Sequence, residues 1–456
     1  MSPLEQVTGE GRRIISRLRR LMFKLGDQNR KVPLTTQSFL DQVTIPGKKR
    51  VYAEAGKEFE ERGIDYTLLR LKAFVKAEPV HGESKDPRLI QAAPPIYNVA
   101  LGRYNKPVEW SLGKLPWHKV FGGHCPRGRL VAKGLNNVQR AALIKKKFDR
   151  FTDPVMFGID ASRFDMHVSH DILDVEFALT YGMYRNDPEV KALCEWQKGP
   201  PGITSNGVKY KGGGRISGVP NTGSGNSIIN INLVLSYFSD ICKFDFICDG
   251  DDGVVFLERK DAGAMEGFTP HCAHLGFRMT IENPVYELCD VEFCQSKPVE
   301  VRLGKWVMVR NPQRAIYRGL MSNVSMNTPL EARQTMWAVG SCELALHSGV
   351  PVMQEYALFC LREGVKPSSR KLAQIQHRLS HQYWHLPKSH SPRPVSAHAR
   401  AAFAAAFGVS VSEQLFIENM YRKAKLPALG VLRMLGPEDT GAGQVSSLDE
   451  RVYTLR

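Results

Sequence analysis

FDFICDGDDGVVFL, residues 244–257, is an apolar β-prone run, a tip of Asp249-Gly250-Asp251-Asp252, and a second apolar run. Two such runs around an Asp/Gly turn predict a β-hairpin. Carboxylates crowded between two buried strands repel one another and resist desolvation, so the tip demands a compensating charge. Mg²⁺ fits that demand, because it takes one or two protein carboxylates and completes its shell with substrate phosphates. The same four residues also make an ordinary acidic surface loop. The neighbours of the hairpin must therefore decide.

Upstream, GIDASRFD supplies two more acids. Residues 154–159, PVMFGI, predict a short buried strand ending at Asp160, with Asp165 five residues on, where the chain has turned. If that strand pairs beside the hairpin, Asp160 and Asp251 face each other across a gap that a metal pair could fill. That arrangement stabilises both the attacking and the leaving oxygen in phosphoryl transfer. An N-cap or turn aspartate is the plain alternative for Asp160. Between the acidic stretches lies GGGRISGVPNTGSGN, residues 212–226. Its glycines let backbone approach a ligand, and Ser217, Thr222 and Asn226 offer small hydrogen-bonding groups. Thr222 and Asn226, four apart, share a helical face. Such side chains suit a ribose 2′-hydroxyl, donor and acceptor in one group; a glycine-rich surface loop before a capped helix is the other reading.

Composition narrows the partners. Lys+Arg number 62 against 46 Asp+Glu, a net charge of +16 that favours nucleic acid or an anionic membrane surface. Nine cysteines with no CxxC pair are not a secreted disulfide framework and predict reduced thiols. The most apolar stretch, residues 228–238, is broken by Asn230, Asn232 and Ser236 and is too short for a bilayer, so neither a transmembrane helix nor a signal peptide is expected. Residues 11–25, GRRIISRLRRLMFKL, align Ile14, Ile15, Leu18, Leu21, Met22 and Leu25 in one helical stripe with basic residues on the other faces. Such a helix packs on the protein, lies on an anionic membrane or touches RNA.

Residues 66–110 read as extended basic backbone, with strand-like pieces at 66–69 and 74–75 and five prolines, Pro79, Pro87, Pro94, Pro95 and Pro107, against a long helix. Helices are expected at 136–148, after Ser169, at 222–236 and through most of the chain beyond Thr328. A Pro/Gly-rich connection is expected at 199–214, and short strands at 277–281, 291–294 and 306–309.

Taken in order, Asp160-x4-Asp165, Ser217-Gly218-x3-Thr222-x3-Asn226 and Gly250-Asp251-Asp252 resemble motifs A, B and C of viral RNA-dependent RNA polymerases. GIDASRFDMHVS, RISGVPNTGSGN and CDGDD are similar to the tombusvirus-like polymerases of positive-strand RNA viruses, as are FVKAEP with PRLI in motif F and VEFCQSKPV in motif E. The resemblance covers roughly residues 65–315. It implies an α+β fold, the polymerase right hand: N-terminal region and fingers at 1–150, palm with an antiparallel β-sheet at 151–181 and 217–311, a fingers insertion at 182–216, a helical thumb at 312–435 and a mobile tail at 436–456.

The activity implied is RNA-directed RNA polymerisation by two-metal nucleotidyl transfer. Asp160 and Asp251, assisted by Asp252, would ligate two Mg²⁺ ions, with Mn²⁺ as a substitute. Asp165, Ser217, Thr222 and Asn226 would sense the ribose. Lys76 and Arg88 would neutralise the triphosphate, with Lys72 and Lys85 as weaker members of the same wall, and Cys294, Gln295 and Ser296 would support the primer end. NTPs, template and nascent RNA are the implied partners, with a membrane-anchoring viral replication protein at membrane-associated complexes in the host cytoplasm and peripheral membrane contact through residues 11–25. No lysine lies between Asp261 and Ser296 to serve as the motif D acid, so the general acid is unassigned.

Two rival readings remain. A non-catalytic RNA-binding scaffold with a palm-like domain is disfavoured because acids in an RNA channel repel phosphate unless metal bridges them. A reverse transcriptase-like enzyme is disfavoured by Asp165 with Asn226. His271, Cys272, His274, Cys289 and Cys294 match no common zinc-finger spacing. His377, His381 and His385 read as a basic or solvated helical face.

Overall fold

In the computed structural model, which describes residues 6–76, 88–320, 328–378 and 391–426, the expected hairpin forms. Phe244–Asp249 and Asp252–Glu258 pair antiparallel, with Asp249 opposite Asp252. Neither strand alternates apolar with polar, because both faces are covered: Phe246, Ile247, Cys248, Val255, Phe256 and Leu257 are all fully buried. Pro154–Ala161 pairs antiparallel on the far side of Asp252–Glu258, Ile159 opposite Gly253, and Met279–Ile281 completes a four-stranded sheet with Thr280 opposite Asp160. That register carries Asp160 and the hairpin tip to the same end of the sheet.

The helix Thr222–Phe238 is buried almost all round, with Ile228, Ile229, Ile231, Leu233, Val234, Leu235 and Phe238 in the core. Each such side chain contributes roughly 1.5–3 kcal/mol relative to exposure. Beside it His170–Met183 starts at Ser169, whose hydroxyl accepts the Ile172 N–H, and packs against the N-terminal helix Gly9–Asp27. Ile15, Leu18, Met22 and Leu25 of the N-terminal helix are buried there and Ile14 and Leu21 are half-buried. Of the three readings open for the apolar stripe of residues 11–25, packing on the protein is the one this burial supports. An amphipathic helix has one apolar face, and the protein core has taken it. Among the described residues no single helix is long and apolar enough to cross a membrane.

A second four-stranded sheet has the order Leu89–Ala92, Leu71–Val75, Pro201–Thr204, Lys209–Lys211. The stretch 199–214 was expected as a connection, yet it contributes two of these strands, whose signal is masked by Pro201 and Gly202. Residues 66–68 are a turn and not a strand. The Asp65 carboxylate accepts the Thr67 N–H at 2.9 Å and its hydroxyl at 2.6 Å, an Asx turn that competes with extended backbone.

Pro95–Ser111 is a 17-residue helix where prolines were expected to forbid one. Pro95 stands in the first turn, where no N–H is needed. Pro107 deprives one carbonyl, that of Arg103, of its intrahelical donor. That carbonyl accepts the Leu34 N–H instead, at 3.0 Å. The strand expected at 291–294 does not form: Phe293 makes only an isolated bridge to Ser296 across a turn in which Cys294 and Gln295 take φ of +50° and +59°, and the strand begins at Ser296.

The chain divides into two compact units. One takes in most of the chain up to Glu287; the other is built from Leu288 onward together with Leu135–Leu143. The second unit holds the antiparallel pair Ser296–Arg302 and Lys305–Arg310 and, among the described residues, helices at Pro312–Gly319, Pro329–His347, Met353–Glu363, Ser369–Arg378, Ala397–Phe407 and Val411–Lys423. Val299, Val309, Ala315, Met353 and Phe403 form one of its cores. The expectations for Lys85, for the His377, His381 and His385 set and for residues 436–456 lie outside what the structure describes.

Candidate active site

The tip of the central hairpin turns on Gly250, at φ +75° in the first central position of a two-residue loop, where an L side chain would be strained. The buried helix Thr222–Phe238 holds that turn by two polar residues. Ser227 Oγ accepts the Gly250 N–H at 2.9 Å, and Asn230 Nδ2 donates to the Asp251 carbonyl at 2.9 Å and to that of Gly250 at 3.3 Å. A backbone fixed on this side sets the direction in which the Asp251 side chain leaves the turn.

Burial is the largest influence on the Asp251 carboxyl and raises its pKa above the usual carboxylate value; its own backbone N–H opposes this, the carboxylates of Asp165 and Asp160 add to it, and the Arg88 guanidinium pulls it down. The residue stands at an open hairpin tip, but neighbouring atoms crowd its carboxyl. Two of the acids singled out in the sequence, Asp165 and Asp160, thus act on Asp251 through space, as Arg88 does with the opposite sign. Asp252, also exposed, follows directly and pairs with Asp249 in the ladder. Lys76 and Arg88 flank the ends of Leu71–Val75 and Leu89–Ala92, where the Lys76 N–H donates to the Arg88 carbonyl at 2.8 Å.

Of the four residues read as sensing ribose, two are brought into direct contact. Asn226 Nδ2 donates to Asp165 Oδ1 at 2.8 Å. Ser217 and Thr222 make contacts elsewhere: Ser217 Oγ accepts the Gln91 N–H at 3.0 Å, and the Thr222 hydroxyl donates toward the carbonyls of Ile216 and Val219 at 2.8 and 2.9 Å. Both fasten the loop that precedes Asn226.

Sequence reasoning passed over Ser227, Asn230, Arg215 and Glu176. The first two carried a signal, since polar residues in an otherwise apolar buried helix must find partners. Glu176, on a different helix, is recognisable only in three dimensions.

His271 and His274 each have partners of their own. His271 shares a 2.8 Å hydrogen bond with Ser236, burial pushing its imidazole down to about 4, while His274 pairs with Thr8 and Glu10. Among the described residues no group of three or more His, Cys, Asp or Glu is gathered as a metal cage. Asp160 and Asp165 act on the Asp251 carboxyl through charge without closing a cage. A hard cation that takes few protein carboxylates and keeps positions for phosphate oxygens fits such a donor set.

The order of strands, the acids at one sheet end and the Asp165–Asn226 pair meet an independent finding: residues 3–428 match the viral RNA-dependent RNA polymerase family. The chain belongs to that family. It is similar to the RNA-directed RNA polymerases of Maize chlorotic mottle virus (32% identical over 409 residues, 86% of this chain and 40% of the relative), Panicum mosaic virus (32% over 433 residues, 92% and 42%) and Tomato bushy stunt virus (32% over 415 residues, 89% and 48%). The chain spans less than half the length of these relatives. Kinship with viral RNA-dependent RNA polymerases thus extends well past the 65–315 stretch in which the motifs are legible.

Proposed function

We propose that this chain is the polymerising part of an RNA-directed RNA polymerase that copies a positive-strand viral RNA. The observation that carries the reading is the placing of Asp160 and the Asp251 tip at one sheet end, where Asp165 and Asp160 act on the Asp251 carboxyl, with Asp165 in a carboxylate–amide pair suited to a 2′-hydroxyl. The right-hand layout goes with it: a palm sheet bearing the acids, fingers bearing Lys76 and Arg88, and a helical thumb in the C-terminal region.

Asp160 and Asp251, with Asp252 adjacent, would hold two Mg²⁺ ions, or Mn²⁺ in their place. Bound there, the ions favour the ionised 3′-hydroxyl and stabilise charge on the α-phosphate and the departing pyrophosphate. Asp165 and Asn226 orient the incoming ribose by accepting from and donating to its 2′-hydroxyl. Arg88 and Lys76 bind triphosphate oxygens. The new bond joins the 3′-oxygen to the α-phosphorus, the bond from that phosphorus to the bridging oxygen breaks, and the hydroxyl proton passes to water. Template and nascent RNA neutralise the excess of basic residues, and a viral membrane-anchoring protein would bring the enzyme to its site in the host cytoplasm.

Arg88→Ala should raise the KM for NTP by roughly tenfold with a smaller change in kcat, because a ground-state phosphate contact worth about 1.4 kcal/mol is lost; unchanged KM for all four NTPs would remove Arg88 from the triphosphate wall. The whole reading is tested by purified protein on a primed heterologous RNA with Mg²⁺ and NTPs, with dNTPs in parallel. Template-length product from NTPs supports it. Equal use of dNTPs favours the DNA-making reading, and RNA binding without synthesis, even with host membrane extract added, favours the scaffold.

A further inference from the structure

Glu176 and Arg215 form an ion pair inside the first unit, with side chains 3% and 0% exposed. A buried ion pair is weak evidence for stability, since desolvation offsets the attraction. Arg215 Nη1, moreover, has no acceptor among the described residues, a further cost to a fold that merely needed the space filled. What the pair touches gives it a different meaning. Arg215 Nε donates to Asn226 Oδ1 at 3.0 Å. The Arg215 backbone N–H donates to the Asp165 carbonyl at 2.8 Å. One residue thus grips both members of the Asp165–Asn226 pair.

The grip also sets direction. An amide can present either its oxygen or its NH₂ to a neighbour. With Oδ1 occupied by the guanidinium, Asn226 must turn Nδ2 toward Asp165, as it does at 2.8 Å. Glu176 anchors the other end: it accepts from Arg215 and, at 2.7 Å, from Asn221 Nδ2, the residue that opens the helix bearing Asn226. The same carboxylate packs on Gly225, where an added Cβ would lie 2.4 Å from its Oε1, so TGSGN needs a glycine directly before the asparagine.

We propose that Arg215 and Glu176 are positioning residues for sugar selection. They fix the amide of Asn226 so that, with Asp165, the site offers one acceptor and one donor to a ribose 2′-hydroxyl. This rests on the polymerase reading. Neither residue touches the nucleotide; each acts through Asn226 and Asp165. Rejection of a 2′-deoxy substrate comes from leaving those groups unpaired, and a site whose amide is free to rotate loses that penalty.

The test measures kcat/KM for ATP and for dATP, on a primed RNA template, in wild type, in Arg215→Met/Glu176→Gln, which removes both charges together, and in the conservative Glu176→Gln. The double variant should lower the ATP/dATP ratio by roughly tenfold or more, mainly by loss on ATP, and Glu176→Gln, whose single amide oxygen can still accept from Arg215 but leaves no acceptor for Asn221, should lower the ratio less than the double variant does. If the double variant does not fold, Arg215→Lys, which keeps the charge but not the fork to Asn226 and Glu176, must show the lowered ratio. Equal losses on ATP and dATP, with the ratio unchanged, would make the pair purely structural and overturn the proposal. A wild type that incorporates neither nucleotide would instead overturn the polymerase reading beneath it.

Discussion

Asp251→Asn should lower nucleotide incorporation by roughly a thousandfold while making the metal-free protein more resistant to heat. The loss follows from removing a carboxylate that, in the proposed function, would hold the catalytic cation: transition-state stabilisation by a metal is worth several kcal/mol, and each 1.36 kcal/mol is about a decade in rate. The gain follows from the electrostatics of the empty protein. The Asp251 carboxyl is raised above its ordinary value first by burial and then by Asp165 and Asp160. For an acid shifted in that direction, the stability it allows is complete below the unfolded pKa, about 4, and is lost as pH rises through the folded value. Near neutral pH the ionised group therefore works against folding, and asparagine relieves it. The Tm of the variant in EDTA should exceed that of wild type near neutrality, with the two converging below about pH 4. Mg²⁺ or Mn²⁺ should raise the wild-type Tm by binding the folded state alone, and should raise that of the variant less. Polymerisation surviving the change, or an equal metal-induced shift in both proteins, would sink the assignment of Asp251 as a ligand.

The hairpin was legible because its cause is local. Two apolar runs around DGDD leave few other conformations, and Gly250 is the residue a tight turn needs. The Asp160 strand was legible for the same reason, but its neighbour was not: only the register of Ile159 on Gly253 places Asp160 beside the tip. At Pro107 sequence reading failed because a distant group had supplied what the local pattern lacked. Leu34 gives the Arg103 carbonyl the donor that Pro107 withholds, so a helix persists where proline argued against one. The stripe of residues 11–25 was read correctly as amphipathic; a period of 3.6 tells which face is apolar and not what covers it, and here the cover includes helix His170–Met183. The site divides along the same line. Asp165 and Asn226 stand out as residue types, whereas Arg215 and Glu176 declare themselves only by their partners.

Asp245 offers the largest expected effect on stability, at a position that touches no substrate in the proposed mechanism. It lies at the start of the first hairpin strand, 1% exposed, where its carboxylate takes Lys147 Nζ at 2.6 Å, the Phe246 N–H at 2.8 Å and the guanidinium of Arg150. Arg150 can reach water, since about a third of it is exposed; Lys147 cannot. Asp245→Ala strands the Lys147 ammonium in the core and should cost about 3–5 kcal/mol, the usual result of breaking a buried pair from one side, or roughly 10 °C in Tm for a protein of this size class.

The pH dependence identifies the cause. Burial already holds the Lys147 pKa below its ordinary value, with Asp245 as the largest opposing influence; without Asp245 the depression deepens. For a lysine lowered on folding, the cost is complete below the folded pKa and relaxes as pH rises toward the unfolded value near 10.4. The gap between wild type and Asp245→Ala in urea unfolding should therefore narrow as pH rises toward the unfolded lysine value near 10.4. Lys147→Met/Asp245→Leu should recover most of the loss, since an apolar pair of similar volume has no charge to desolvate. A gap independent of pH, or a double variant no more stable than Asp245→Ala, would show that the carboxylate matters for something other than the buried lysine.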